Sequence, residues 1–308
     1  MPAILQYVVN GIVYSSIIVL ASIGLSLVYS IADFANFAHG DTMTVGAYGA
    51  LLVMTMFGGA DPGVSILGIP VTFFLALLVG MALAPLVALA TERVIYKPLD
   101  VDSIGLLITS IGVAFVYRAG ILLGFPGGFQ SYGIQRQGPI PAIQDAFGVA
   151  VTVRNLTIVV VSVILVVGLH LLLQYTTLGR KMRATADNAD LARVSGIRTD
   201  QIIVAMWVIG AGLAAAGGVF LGLHTHVHPR MGFDILLVVF AAVILGGIGS
   251  VYGAMLGGLV IGMVHELTPL LAVVGIPDGT KYSASIAFVI MVVILLVRPS
   301  GIMGGEAA

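Results

Sequence analysis

Thr176 to Gln201, TTLGRKMRATADNADLARVSGIRTDQ, is the only long polar run in an otherwise apolar chain, and it decides where water must be. It carries Arg180, Lys181, Arg183, Arg193 and Arg198. At the centre of a bilayer each of these would cost roughly 2.5 to 3.5 kcal/mol. The run therefore lies in water. Short loops rich in Lys and Arg stay on the cytoplasmic side, so it also orients the segments around it. Of the 308 residues, 59% are hydrophobic and 9% charged. A soluble domain has roughly 25% charged residues, so the remainder of this chain belongs in a membrane.

A span needs ~20 largely apolar residues. The sequence offers them at about Leu5–Tyr29, Thr42–Phe57, Ile66–Ala90, Ile104–Leu123 and Leu156–Gln174 before the polar run. Ile202–Leu223, Phe233–Leu245, Tyr252–Leu267 and Ser283–Val297 follow it. The expected fold is an all-α polytopic membrane protein of eight or nine transmembrane segments, some short or broken, with a cytoplasmic helical loop. The N-terminal run has no basic flank and is too long for the core of a signal peptide, so it reads as the first span. Counting outward from a cytoplasmic island puts the N-terminus outside and the C-terminus inside. Arg93, Lys97 and Arg298 then join the five island residues inside, against Arg136, Arg154, Arg230 and Lys281 outside, with Arg118 as an unpaired charge within a span. That bias agrees with the positive-inside rule.

Within the island the pattern predicts two short helices. Asn188 can cap a turn through Leu191, Ala192 and Val194, Gly196 stands where a helix ends left-handed, and Thr199 and Asp200 can cap the next apolar helix. Two readings of the island stay open. It is a solvated loop that obeys the positive-inside rule, or Leu191, Val194 and Ile197 form an apolar face that docks in a partner's groove.

The short apolar stretches point to a pathway. Phe233–Leu245 is too short to cross an unthinned bilayer and stops at Gly246, Gly247 and Gly249, followed by Ser250. Broken backbone at membrane depth survives only inside protein or beside water. Asn36, His39 and Asp41 likewise lead into a helix carrying Thr42 and Thr44, and paired interrupted segments suggest a transport site. Asp41 can also be read as a helix cap and His39 as a membrane-boundary residue. Gly249, Gly253 and Gly257 lie four apart, with Gly258 and Gly262 beside them and Gly218 and Gly222 elsewhere. Such spacing suits close helix packing, within the subunit or across a dimer interface. Phe125–Arg154 is the longest external loop, with Gly127, Gly128, Pro139 and Pro141 expected to prevent regular helix.

Several chemistries are excluded. A net charge of −1 argues against nucleic acid, and the absence of Cys removes thiolate catalysis and Cys-ligated metal. His265-Glu266 opens an HExxH-like string, but Pro269 takes the second histidine position. No GxSxG elbow and no GxxxxGK[ST] loop occur, so the chain holds neither that nucleophile nor a P-loop. His224, His226 and His228 alternate and in extended chain would face one way, but with Asp234 the one carboxylate nearby they read as a polar loop, and no metal is expected.

LGRKMRATADNADLARVSGI resembles the cytoplasmic coupling segment of LivH-type membrane subunits of branched-chain amino-acid ABC importers. NFAHGDTMTVGAY, ERVIYKPL and AAVILGGIGSVYGAMLGG are similar to that family's other characteristic stretches, in the expected order along nearly the whole chain. The resemblance implies one permease domain over 1–308, with a coupling loop at 175–201 and an external loop at 125–154. It implies an ATPase contact through Gly179, Arg180, Arg183, Ala184, Asp187, Leu191, Ala192, Val194 and Gly196. It further implies a multi-pass protein of the cell membrane that binds no cofactor, with ATP used by a partner chain. The implied partners are a LivM-like second permease or a second copy, two cytoplasmic ATPases and an extracytoplasmic binding protein. Branched-chain amino acids would be the cargo, with urea or short amides open. An ion-coupled secondary transporter or channel is the rival reading, and it requires a buried ion relay.

Overall fold

A computed structural model of the chain describes residues 2–57, 65–66, 68–135, 137–270 and 282–304. Arg136 and Lys281, counted among the external basic residues, lie outside that set. Each of the nine apolar stretches forms a helix: α1 (Pro2–Ala32), α2 (His39–Met56), α3 (Val71–Thr91), α4 (Ser103–Gly124), α6 (Val153–Tyr175), α9 (Thr199–His224), α10 (Met231–Gly246), α11 (Val251–Leu267) and α12 (Ser283–Val297). Between them lie α5 (Pro141–Phe147), α7 (Thr177–Asp187), α8 (Ala189–Val194) and a two-stranded hairpin, β1 (Ser65–Ile66) with β2 (Ile69–Pro70). Among the described residues six helices are long and apolar enough to cross a bilayer, while α10 and α12 are shorter.

Local chemistry sets the ends. Asp102 accepts from Gly105 N (2.9 Å) to start α4, Thr152 from Asn155 N (3.3 Å) to start α6, and Ser250 from Gly253 N (3.0 Å) to start α11. These caps satisfy amide groups that have no partner within the helix. α9 differs from the expectation, since neither Thr199 nor Asp200 caps it; Asp200 instead accepts from Lys97 Nζ at 3.0 Å. Nor does Pro141 prevent helix. It stands at the first position of α5, where its missing N–H costs nothing. α3 continues as a π-helical turn, Glu92–Tyr96, in which Glu92 accepts from the Trp207 indole at 3.0 Å and Tyr96 stacks on the same ring.

The two longest helices form the centre. α1 and α9 pack against each other and are mostly enclosed, whereas α4 and α6 turn most of their surface outward. Around this pair the chain repeats a plan. Long α1 is followed by a non-helical break over 33–38 and then α2, while long α9 is followed by a break over 225–230 and then α10. α1 packs on α11 as α9 packs on α3, and α2 meets α3 and α4 as α10 meets α11 and α12. Gly40 and Gly232, each the second residue of its helix, touch at the centre: a Cβ on Gly40 would lie 2.6 Å from Gly232 O. No side chain fits between those backbones.

The glycine series resolves into packing within the subunit. A Cβ on Gly257 would collide with Ala242 O of α10, one on Gly253 with Gly246 O, and one on Gly258 would lie 2.9 Å from Val19 Cα of α1. Gly249 does not share that face, because it sits in the turn before α11 with a φ of +82°. Val260 is partly buried against the apolar cluster that includes Ile18, Val239 and Ile261. Gly257→Leu is therefore expected to destabilise the protein by about 3 kcal/mol, at the upper end of overpacking, because the obstruction is backbone. Leu259→Val, at a half-exposed position on the same helix, should stay within about 0.5 kcal/mol. Thermal unfolding of both variants in detergent checks the pair, and equal midpoints would refute the contact.

Candidate functional site

Apolar helices enclose one cluster of polar side chains at mid-depth. α2 begins beside the middle of α1, where His39 Nε2 donates to Ala21 O at 2.9 Å. His39, Asp41, Thr42, Thr44 and Asn36 are all buried. Asn36 Oδ1 accepts from Ala38 N (3.0 Å), Thr42 Oγ1 donates to Ala38 O (2.9 Å), and Thr44 Oγ1 accepts from Gly232 N (3.1 Å). The helix start is thus held by Asn36, not by an Asp41 cap, and His39 lies deep, not at a membrane boundary.

Asp41 has a different partner. Arg118 of α4 donates through Nε to Oδ1 (3.2 Å) and through Nη2 to Oδ1 and Oδ2 (3.1 Å each). Arg118 is thus paired, contrary to the sequence expectation. Its guanidinium carbon lies over the rings of Phe115 and Phe233, at 5.4 and 4.9 Å from their centroids, and each contact adds cation–π attraction. The Asp41 side chain has no solvent exposure, and a buried carboxylate survives there because the fork of Arg118 matches it. Arg118 within one apolar stretch and Asp41 at the edge of another leave a partial sequence signal for this pair, since ionisable groups at membrane depth normally find one another.

Gly246, Gly247, Gly249 and Ser250 do not join that cluster. They lie at the opposite end of α10, where Ile302 N donates to Leu245 O and Met303 N to Gly246 O (2.9 Å each), and where Gly247 needs a φ of +107°. Gly249 sits beside Ser30 of α1. A cavity of about 300 Å³ separates this turn from the island and is lined by Ser30, Gln174, Arg183, Asp187, Gly249 and Tyr252, among others.

The island folds as the two expected helices. Asn188 Oδ1 accepts from Leu191 N at 2.8 Å, and Gly196 has a φ of +84°. Gly179 lies against the carbonyls of Leu172 and Leu173 with no room for a side chain, Met182 and Ala192 are buried, and Ala184 is partly buried. Arg180 is exposed. Arg183 Nη1 donates to Gln174 Oε1 (2.8 Å), Gln174 Nε2 donates to the Tyr252 hydroxyl (2.8 Å), and that hydroxyl lies 3.0 Å from His170 Nδ1. A hydrogen-bonded chain thus ties α7 to α6 and to the start of α11. Gln174 and His170 carried no sequence motif, and Tyr252 lay in the stretch AAVILGGIGSVYGAMLGG without being singled out. Leu191 and Val194, by contrast, project outward on α8.

The three alternating histidines diverge. His224 ends α9 near Tyr14, whereas His226 and His228 lie edge-on to Phe129, at 6.1 and 5.1 Å between centroids.

Known proteins are similar over almost the whole chain. Residues 7–295 match the family described as the permease component of branched-chain amino acid transport systems. The high-affinity branched-chain amino acid transport system permease protein BraD of Pseudomonas aeruginosa is 32% identical over 305 residues, which cover 97% of this chain and 95% of that protein. The permease protein LivH of Escherichia coli, from the corresponding high-affinity system, is 30% identical, again over 97% of this chain and 95% of its own length.

Proposed function

The chain belongs to the permease-component family of branched-chain amino acid transport systems, and from that membership we propose that it carries branched-chain or similar hydrophobic amino acids inward as one membrane subunit of an ATP-driven importer. It is a multi-pass membrane protein, and ATP is consumed by separate chains. Two ATPases dock on the island, a second permease, homologous or identical, completes the membrane part, and a binding protein delivers cargo at the end of the external loop. Urea and short amides are competing cargoes in the test below.

One observation carries the reading: the island is hydrogen-bonded to the transmembrane helices on one side while Leu191 and Val194 stand unpartnered on the other. A rigid element with an apolar outer face can receive movement from an ATPase and pass it to Tyr252 and the turn at Gly249. Purified complex in liposomes, with the binding protein outside and ATP inside, should accumulate leucine, isoleucine or valine. Uptake that follows an ion gradient without ATP, or uptake of urea alone, would overturn the assignment.

Orientation is a separate expectation. Ala189→Cys and Gln137→Cys introduce thiols at exposed positions at opposite ends of the bundle. In intact cells an impermeant maleimide should label Gln137→Cys only, with Ala189→Cys reacting after lysis. Labelling of both from outside would reverse the island's side.

A further inference from the structure

We infer that the face formed by α4 and the first turn of α10 is a subsite for a zwitterionic amino acid with an apolar side chain; this rests on the proposed amino-acid cargo. Arg118 holds the carboxylate, Asp234 the ammonium, and Phe115, Phe233 and Leu237 the side chain.

Arg118 is fixed in place. Its Nε and Nη2 are engaged by Asp41 and its Cζ lies 5.4 and 4.9 Å from the Phe115 and Phe233 ring centroids, but Nη1 makes no hydrogen bond to any described residue. A guanidinium has five N–H donors, so one edge stays open for a second carboxylate. With 14% of its side chain exposed, Arg118 presents that edge at the protein surface. Asp234 follows directly after the Phe233 ring that lies over Arg118, and is within electrostatic reach of Asp41. Its side chain is exposed and forms no ion pair with any described residue.

Depth makes this arrangement informative. Gly232, two residues earlier, packs on Gly40, and neighbouring His39 bonds Ala21 near the middle of α1. Asp234 is thus at membrane depth, where a carboxylate facing hydrocarbon is expensive and such groups border pathways or partners. Beside the charges, Phe115, Phe233 and Leu237 are exposed at 62%, 41% and 56%. One fixed cation edge, one free carboxylate and an apolar wall match the three parts of a hydrophobic amino acid. Urea offers no carboxylate to the first and no ammonium to the second.

The test uses the complete transporter in liposomes with its binding protein and labelled leucine. Asp234→Asn preserves shape and removes charge, and should lower leucine uptake about tenfold or more while ATP hydrolysis stimulated by loaded binding protein persists. Asp234→Glu should restore much of the uptake, and Leu237→Ala should shift the leucine-to-alanine uptake ratio by about tenfold toward alanine. Parental uptake by Asp234→Asn would overturn the subsite. Loss of subunit co-purification in Asp234→Asn would also overturn it, by making Asp234 an ion-pair partner of another chain. A parent complex that takes up no branched-chain amino acid removes the premise, whereas unchanged uptake by the variant sinks the subsite alone.

Discussion

Arg118→Met is expected to lower stability by about 3 to 5 kcal/mol, because it leaves the Asp41 carboxylate buried without a counter-charge. Met keeps much of the side chain's length and its contact with Phe115 and Phe233, so lost packing contributes little. Folded proteins hold only about 5 to 15 kcal/mol in total, so yield and detergent-solubilised monodispersity should both fall. Asp41→Asn in the same chain removes the stranded charge, and the double variant should recover most of the loss. Arg118→Lys should fall between, since an ammonium cannot reproduce the forked contact through Nε and Nη2. Thermal unfolding of the parent, the two neutral single variants and the double variant forms a double-mutant cycle, and additive effects of the two neutral substitutions would show that the pair does not stabilise the fold.

That pair also marks the limit of what the sequence discloses. Helices follow from runs of apolar residues of bilayer length, so α1, α3, α4, α6, α9 and α11 could be placed to within a few residues. The island's cap at Asn188 and its left-handed Gly196 are local chemistry, and local chemistry is legible. What stayed hidden depends on how distant segments meet. His39 and Asp41 resemble interfacial residues in a one-dimensional reading because they follow a polar stretch after α1. Only the return of residues 33–38 alongside α1 carries His39 back to the level of Ala21. The same holds for Gly246 to Ser250. Their glycines suggested a second half of the polar cluster, yet the true counterpart of the break before α2 is the break before α10, at 225–230. That break contains His226 and His228 and no glycine until Gly232. The signal lay in the equal spacing from each long helix to Gly40 and Gly232, not in glycine density. Asp234, a charge in a short apolar stretch like Arg118 in its own, carries the same kind of signal.

Leu191→Asp is the second large effect, and it tests the proposed docking of an ATPase on the island. Leu191 and Val194 expose 63% and 82% of their surface on α8, although the helix is anchored beneath by buried Ala192. An anchored helix with a bare apolar face suits insertion into a groove of an ATPase, and a carboxylate placed there must be desolvated or must expel the helix. An unpaired buried charge costs several kcal/mol, enough to abolish a modest subunit contact. Leu191→Asp should therefore lose ATPase co-purification, or retain it while binding protein no longer stimulates hydrolysis, and in either case ATP-driven uptake should fall to background. Folding should be unaffected, since the substituted side chain is already in solvent. Arg193→Gln supplies the comparison: its side chain forms only an exposed contact with Asp190 at 3.3 Å, and a rim charge chiefly tunes association rate and salt dependence. Uptake by that variant should stay within about threefold of the parent at moderate salt. Normal co-purification and normal stimulated hydrolysis in Leu191→Asp would instead mean that α8 is a solvated loop, and that force enters through α7, by way of Arg183, Gln174 and Tyr252.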